Sequence, residues 1–160
     1  MPSFQTNRRV PYTARQMFDL VADVERYPEF LPLCEGLTLK SREEKADRTV
    51  LVATMTAGYK AIREQFTTRV TLLPTEQQVL VEYLDGPFRR LENRWRFKTA
   101  PGGCDVDFYI DYEFRSAMLG LLVGALFDKA FRRFVEAFEK RAREIYGSPP
   151  GRTAVPARTA

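Results

Sequence analysis

The chain has 160 residues, of which 44% are hydrophobic and 29% charged, a balance that fits one folded domain and excludes a disordered polymer. It contains no histidine, which removes Ser-His-Asp and Cys-His nucleophilic schemes, and its two cysteines, Cys34 and Cys104, cannot make a zinc site alone. The formal net charge is +4, but Arg152 and Arg158 lie in an acid-free tail, so the body is only mildly basic.

Residues 3–10 (SFQTNRRV) read as a first strand. In 13–24 (TARQMFDLVADV), Met17, Leu20, Val21 and Val24 share one helical face and Thr13 suits the N-cap. The stretch YPEFLPLCEG at 27–36 follows. Pro28 and Pro32 hold it to one or two turns, because proline is tolerated only in a helix's first turn. Tyr27, Phe30, Leu31, Leu33 and Cys34 make it too apolar to stand alone, so it must cover a core or a hollow.

Strand-like text comes next. TVLVATMTA at 49–57 is β-branched and apolar, and Gly58 signals a turn. In AIREQFTTRVTLL at 61–73, Ile62, Phe66, Val70 and Leu72 fall on one face and Arg63, Gln65, Thr67 and Arg69 on the other. VLVEYL at 79–84 is a further strand, ended by Asp85-Gly86-Pro87. In 91–98, Leu91, Asn93, Trp95 and Phe97 alternate with Glu92, Arg94, Arg96 and Lys98. In 105–114, Val106, Phe108, Ile110, Tyr112 and Phe114 alternate with Asp105, Asp107, Tyr109, Asp111 and Glu113. Pro101-Gly102-Gly103 between them signals the turn of a hairpin with one apolar and one charged face. The basic stripe Arg94, Arg96, Lys98 then faces Asp105, Asp107 and Asp111, and a stripe neutralised in this way is a poor phosphate track. DNA is not an expected partner.

A long helix is expected over 117–146, capped by Ser116 and ended by Gly147 and Pro149. Its start, AMLGLLVGALF at 117–127, is apolar nearly all round, and Gly120 and Gly124 suggest a close approach to the sheet. The Pro-, Gly- and Ala-rich tail 147–160 is expected to be disordered, leaving 1–146 as one domain. The order predicts an α+β fold: a curved antiparallel sheet of about six or seven strands, one apolar face, and one long helix to cover it.

Four stretches in this order carry a family resemblance: VADVERYPEFLPLCEG at 21–36, GYKAIREQFTTRV at 58–70, GPFRRLENRWRF at 86–97, and DFYIDYEFRS at 107–116 with the apolar helix start after it. The chain resembles the coenzyme Q-binding START-domain family, which includes mitochondrial coenzyme Q-binding proteins and a bacterial branch described as ribosome association toxins. It departs at Leu33, where members often carry Trp. The resemblance covers about residues 1–146. It implies a helix-grip fold of the START and Bet v 1 kind, in which the sheet wraps the C-terminal helix around a hydrophobic cavity.

Within that frame, Phe108, Ile110 and Tyr112 are expected to face the helix with Trp95, Phe97 and Phe66 beside them. Phe30 and Leu33 are expected to close one end, and Leu122 and Leu126 to form the helical wall. Glu64 and Asn93 interrupt the apolar stripes. Either neighbours satisfy them, or a bulge turns Glu64 out, or one of them hydrogen-bonds a ligand head group; Asn93 can donate to a quinone carbonyl directly.

The resemblance implies a non-enzymatic protein that binds ubiquinone or another polyprenyl quinone in support of respiration or quinone biosynthesis, with no metal and no further cofactor. A ribosome-binding role is the alternative, resting on the basic helix end (Arg132, Arg133, Lys140, Arg141, Arg143); a cyclase or hydrolase is the third. No apolar run approaches the ~20 residues of a membrane-spanning helix. The N-terminus MPSFQTNRRVPY lacks the layout of a secretory signal. A cytoplasmic protein is expected, with peripheral contact at the inner face of the membrane.

Overall fold

The computed structural model describes residues 3–147; the expected disordered tail 147–160 lies outside the described residues except for Gly147. Seven strands form one antiparallel sheet: β1 (Ser3–Val10), β2 (Cys34–Glu44), β3 (Thr49–Tyr59), β4 (Ile62–Leu73), β5 (Gln78–Asp85), β6 (Phe88–Ala100) and β7 (Gly103–Phe114). Their spatial order is β1-β7-β6-β5-β4-β3-β2, a meander with the first strand added beside the last. Helix α1 (Ala14–Ala22) and a 3-10 helix (Val24–Glu29) carry the chain across the sheet from β1 to β2, and α2 (Ala117–Arg132) and α3 (Phe134–Tyr146) follow β7. The helix-grip architecture expected from the sequence is the one observed.

Local chemistry explains the elements. Thr13 caps α1 in a capping box with Gln16: the Gln16 backbone N–H donates to Thr13 Oγ1 (3.0 Å), and the Thr13 N–H to Gln16 Oε1 (2.9 Å). Its buried face is Ala14, Met17, Phe18 and Val21. Pro101 and Gly102 centre the β6–β7 turn, with Gly102 at φ +79° where glycine carries no penalty. Gly103 is fixed by space: a Cβ there would lie 1.9 Å from the Val10 carbonyl oxygen, so only glycine lets β1 end against the hairpin. The β3–β4 turn falls at Lys60 and Ala61, and Gly58 is still within β3.

Three expectations are corrected. The single long helix is two, because the chain tightens at Arg133, whose N–H reaches the Ala130 carbonyl (3.0 Å) in a short i→i−3 bond at φ −101° and ψ 0°. Gly124 has open space around it and makes no close approach, and a Cβ at Gly120 would meet Phe114 only at an ordinary 3.7 Å. The hairpin's charges pair differently than alternation suggests. Lys98 and Arg96 do stand opposite Asp105 and Asp107, but Asp105 pairs with Arg9 of β1, Asp107 accepts from Asn7 (3.1 Å), and Asp111 pairs with Arg90 (3.0 Å). Arg94 instead lies over the Tyr109 ring, 4.4 Å from its centre.

Candidate functional site

The apolar stripes of the strands and the inner faces of the helices meet in one continuous core, and the core is not completely filled. A cavity of about 80 Å³ remains between the middle of the sheet and the helices. Its floor comes from β3 to β7 through Ala53, Met55, Phe66, Val70, Val81, Leu91, Trp95 and Ile110. Its roof is Phe131 of α2 with Phe134 and Phe138 of α3, and one end is closed by Val24, Tyr27 and Leu31, with Leu37 of β2 beside them. The Pro-bounded stretch therefore covers a hollow. Phe138 joins the two parts: its ring lies 5.4 Å from Tyr27, 5.0 Å from Phe30 and 5.0 Å from Trp95. Tyr27 donates its hydroxyl to the Val21 carbonyl, and burial pushes its phenol pKa well above the ordinary range.

Four of the twelve expected residues line the cavity: Phe66, Asn93, Trp95 and Ile110. Phe97, Phe108 and Tyr112 lie on the same sheet face but are buried in the surrounding core. Phe30 packs behind Tyr27, and Leu33, at φ +66°, is half-buried against the core. Glu64 is half-buried opposite Ala57 in regular register, so no bulge turns it out, and it is not among the lining residues. Leu122 is 67% exposed and Leu126 half-buried; neither faces the hollow, because the tightening at Arg133 and the stripe Phe127, Phe131, Phe134, Phe138 turn phenylalanines inward instead.

Among the lining residues Tyr27, Thr68, Asn93 and Trp95 carry polar side-chain groups, and those of Tyr27 and Trp95 are spent on the Val21 carbonyl and on Asn93. Asn93 is held at both ends: Nδ2 donates to the Tyr109 carbonyl (2.9 Å), and Oδ1 accepts from the Trp95 indole N–H (3.0 Å). Its second Nδ2 hydrogen is left over. Thr68 is 7% exposed, and its hydroxyl has no hydrogen-bond partner among the described residues. Thr68 was legible by parity, since it stands between Phe66 and Val70 on the buried face of β4. Burial pushes both thiols, Cys34 and Cys104, up to about 11, so neither is a nucleophile at neutral pH. No group of three or more potential metal ligands occurs among the described residues.

A curved seven-stranded sheet gripping a C-terminal helix around an apolar cavity defines a class. The family model described as polyketide cyclase / dehydrase and lipid transport matches residues 10–139, and the chain belongs to this family. Among its relatives, the ribosome association toxin RatA of Escherichia coli is 35% identical over 149 residues, covering 92% of this chain and 91% of that protein. The mitochondrial coenzyme Q-binding protein COQ10 homolog B of Xenopus laevis is 31% identical over 149 residues, covering 90% of this chain and 59% of that one. An 18 kDa Caulobacter crescentus protein of known solution structure is 33% identical, with a TM-score of 0.76 over 92% of this chain and all of that one.

Proposed function

We propose that the chain is a binding protein, not an enzyme, and that its ligand is a polyprenyl quinone such as ubiquinone, held by its head group between the sheet and α3. One observation carries the reading: an apolar hollow with two separated hydrogen-bond donors and no acid–base pair. Thr68 stands opposite Tyr83 on β5, and Asn93 of β6 stands opposite Val81. The two are thus two strand spacings apart and offset by two residues, roughly 12 Å between backbones. A para-quinone presents two carbonyl acceptors on opposite edges, and needs donors about 11 Å apart for hydrogen bonds of about 2.9 Å. Both donors suit an acceptor-only head group. The family's lipid transport members and the coenzyme Q-binding relative support the same chemistry.

The resting cavity of about 80 Å³ is smaller than the ~150 Å³ engineered cavity that admits benzene, so entry of the ring requires the helical roof to move. A domain of this length has a radius of gyration of roughly 15 Å, so a long tail stays partly outside. Native mass spectrometry of the purified protein, followed by organic extraction, tests the reading. A co-purifying quinone supports it; a protein that is empty and binds no added quinone sinks it.

A ribosome-directed role is the second reading, favoured by the full-length similarity to proteins named ribosome association toxins. The groove between the 3-10 helix and α3 carries Arg133, Lys140 and Arg141, but Glu29, Glu136 and Glu144 line it as well. Arg141 pairs with Glu29 and Glu144, whereas Arg133 and Lys140 form no ion pair among the described residues, so the groove offers phosphate two cations against Glu136. Salt-sensitive cosedimentation with ribosomal subunits would establish this role in place of the first.

A further inference from the structure

The N-terminal half of α2 exposes apolar side chains where a helix on a protein surface normally shows charge. Met118 is 71% exposed, Leu121 88% and Leu122 67%. The inner face of the helix is buried through Val123, Phe127, Ala130 and Phe131, so the outer face is left without a partner. Two further exposed apolar residues belong to the same end of the molecule. In an antiparallel meander the β3–β4 turn, the β5–β6 turn and the β7–α2 junction share one end of the sheet. Tyr59 (45% exposed) stands at the first of these turns. Leu84 (41%) stands at the second, as the extra residue of a bulge between Tyr83, opposite Thr68, and Asp85, opposite Thr67.

Cations ring this apolar end. Lys60 and Arg115 are exposed and form no ion pair among the described residues. Of the acids nearby, Glu35 is paired with Arg63, and Glu113 with Arg89 and Arg90, which leaves Asp85 and the half-buried Glu64. Along the helix, the outer face changes from apolar to charged after Ala125, with Lys129 and Arg132 exposed beyond it. Laid along the surface with its outer face down, as interfacial helices lie, α2 would have Arg115 at one end of the apolar stretch and Lys129 at the other, both at head-group level.

We propose that this end of the molecule docks on the surface of an anionic lipid bilayer, with Met118, Leu121 and Leu122 immersed and Lys60, Arg115 and Lys129 at the head groups. A second copy of the chain is the poorer occupant. Three helix side chains with a small rim fall short of the roughly 800 Å² per partner that a stable protein interface buries, and a cationic ring repels its own copy. The docking stands apart from the identity of the cavity's ligand, so vesicles without quinone test it.

The purified protein is floated with vesicles of phosphatidylcholine plus phosphatidylglycerol, and with phosphatidylcholine alone. Binding is expected to the mixed vesicles, weaker to the neutral ones, and weaker in high salt. The double variant Leu121→Asp/Leu122→Asp, whose sites are solvent-exposed, is expected to stay folded by circular dichroism and lose about a hundredfold in vesicle affinity. Lys60→Glu/Arg115→Glu is expected to lose the preference for phosphatidylglycerol. The proposal is overturned if the wild type floats with neither vesicle, if the leucine variant floats as well as the wild type, or if light scattering finds a dimer that the leucine variant dissociates.

Discussion

The indole N–H of Trp95 donates to Asn93 Oδ1 at 3.0 Å, two positions earlier on the same strand, while Asn93 Nδ2 donates across to the Tyr109 carbonyl at 2.9 Å. One side chain thus satisfies two buried groups and still has a donor to spare. Replacing it by Asn93→Leu strands both partners, and is expected to cost about 1–3 kcal/mol in urea unfolding. Thr68→Val removes a buried hydroxyl with no partner, so stability is expected to hold or rise, within about 1 kcal/mol. Quinone affinity should nonetheless fall about tenfold in Thr68→Val, as expected for one lost hydrogen bond. An unchanged quinone titration in a folded Thr68→Val protein removes that residue from the site.

Ile110 lines the cavity and is 3% exposed. Ile110→Trp is expected to fill the hollow and abolish quinone binding while the protein remains folded, with a stability change below the ~1–3 kcal/mol typical of overpacking a filled core. A loss in that range or beyond, measured by denaturant unfolding, would show that the space is not available to a ring.

Arg96→Glu tests the hairpin's charges. Arg96 stands opposite Asp107 but forms no ion pair among the described residues, so its reversal is expected to shift stability by no more than about 0.5 kcal/mol. Arg90→Ala, which frees Asp111 and leaves Glu113 only its longer contact with Arg89, is expected to destabilise more. Equal effects in thermal melts would contradict the observed pairing.

Burial holds Cys34 and Cys104 near pKa 11, above the ordinary 9.0. Because the folded values are the higher ones, the thiols' contribution to stability is full below about pH 9 and is lost as pH rises through about 11. Iodoacetamide is therefore expected to label the native protein at pH 8 far more slowly than the urea-unfolded chain. Comparable rates would mean that the thiols are accessible and their burial overstated.

Gly103→Ala is expected to destabilise by at least about 3 kcal/mol, in the tail of point-mutant effects, since its Cβ would meet the Val10 carbonyl at 1.9 Å. Gly102→Ala, with open space around it but φ +79°, is expected to cost about 1 kcal/mol. Urea unfolding of the two variants separates steric from conformational cost.

Period-two alternation made β4, β6 and β7 legible residue by residue, because one face of each is core and the other solvent. It failed where that contrast fails. Strand β2 is an edge strand whose second half, KSREE, is exposed, so it carries little apolar pattern. The break at Arg133 has no proline or glycine to announce it. The helical wall expected at Leu122 and Leu126 fails because, in a segment apolar all round, periodicity cannot tell an inward residue from an outward one. Thr68 escapes the apolar pattern because it is polar, although its position on β4 demands burial. The ion pair of Asp105 and the hydrogen bond of Asp107 with β1 depend on contacts about a hundred residues away in sequence, which no local pattern encodes.

The tightening at Arg133 makes the C-terminal arm a jointed rod. Its distal rod, α3, is clamped at both ends: Phe134 meets Phe131 and Phe108, and Tyr146 stacks near Tyr12 and donates to the Gln16 carbonyl. The proximal rod, α2, is fastened along its inner face only, by Val123, Phe127, Ala130 and Phe131. Sheet and α3 thus form the fixed jaw of a vice, and α2 the less fastened one, which carries Phe131 of the roof. A substitution at Arg132 or Arg133 that stiffens the joint is then expected to narrow the range of guests without replacing a lining side chain.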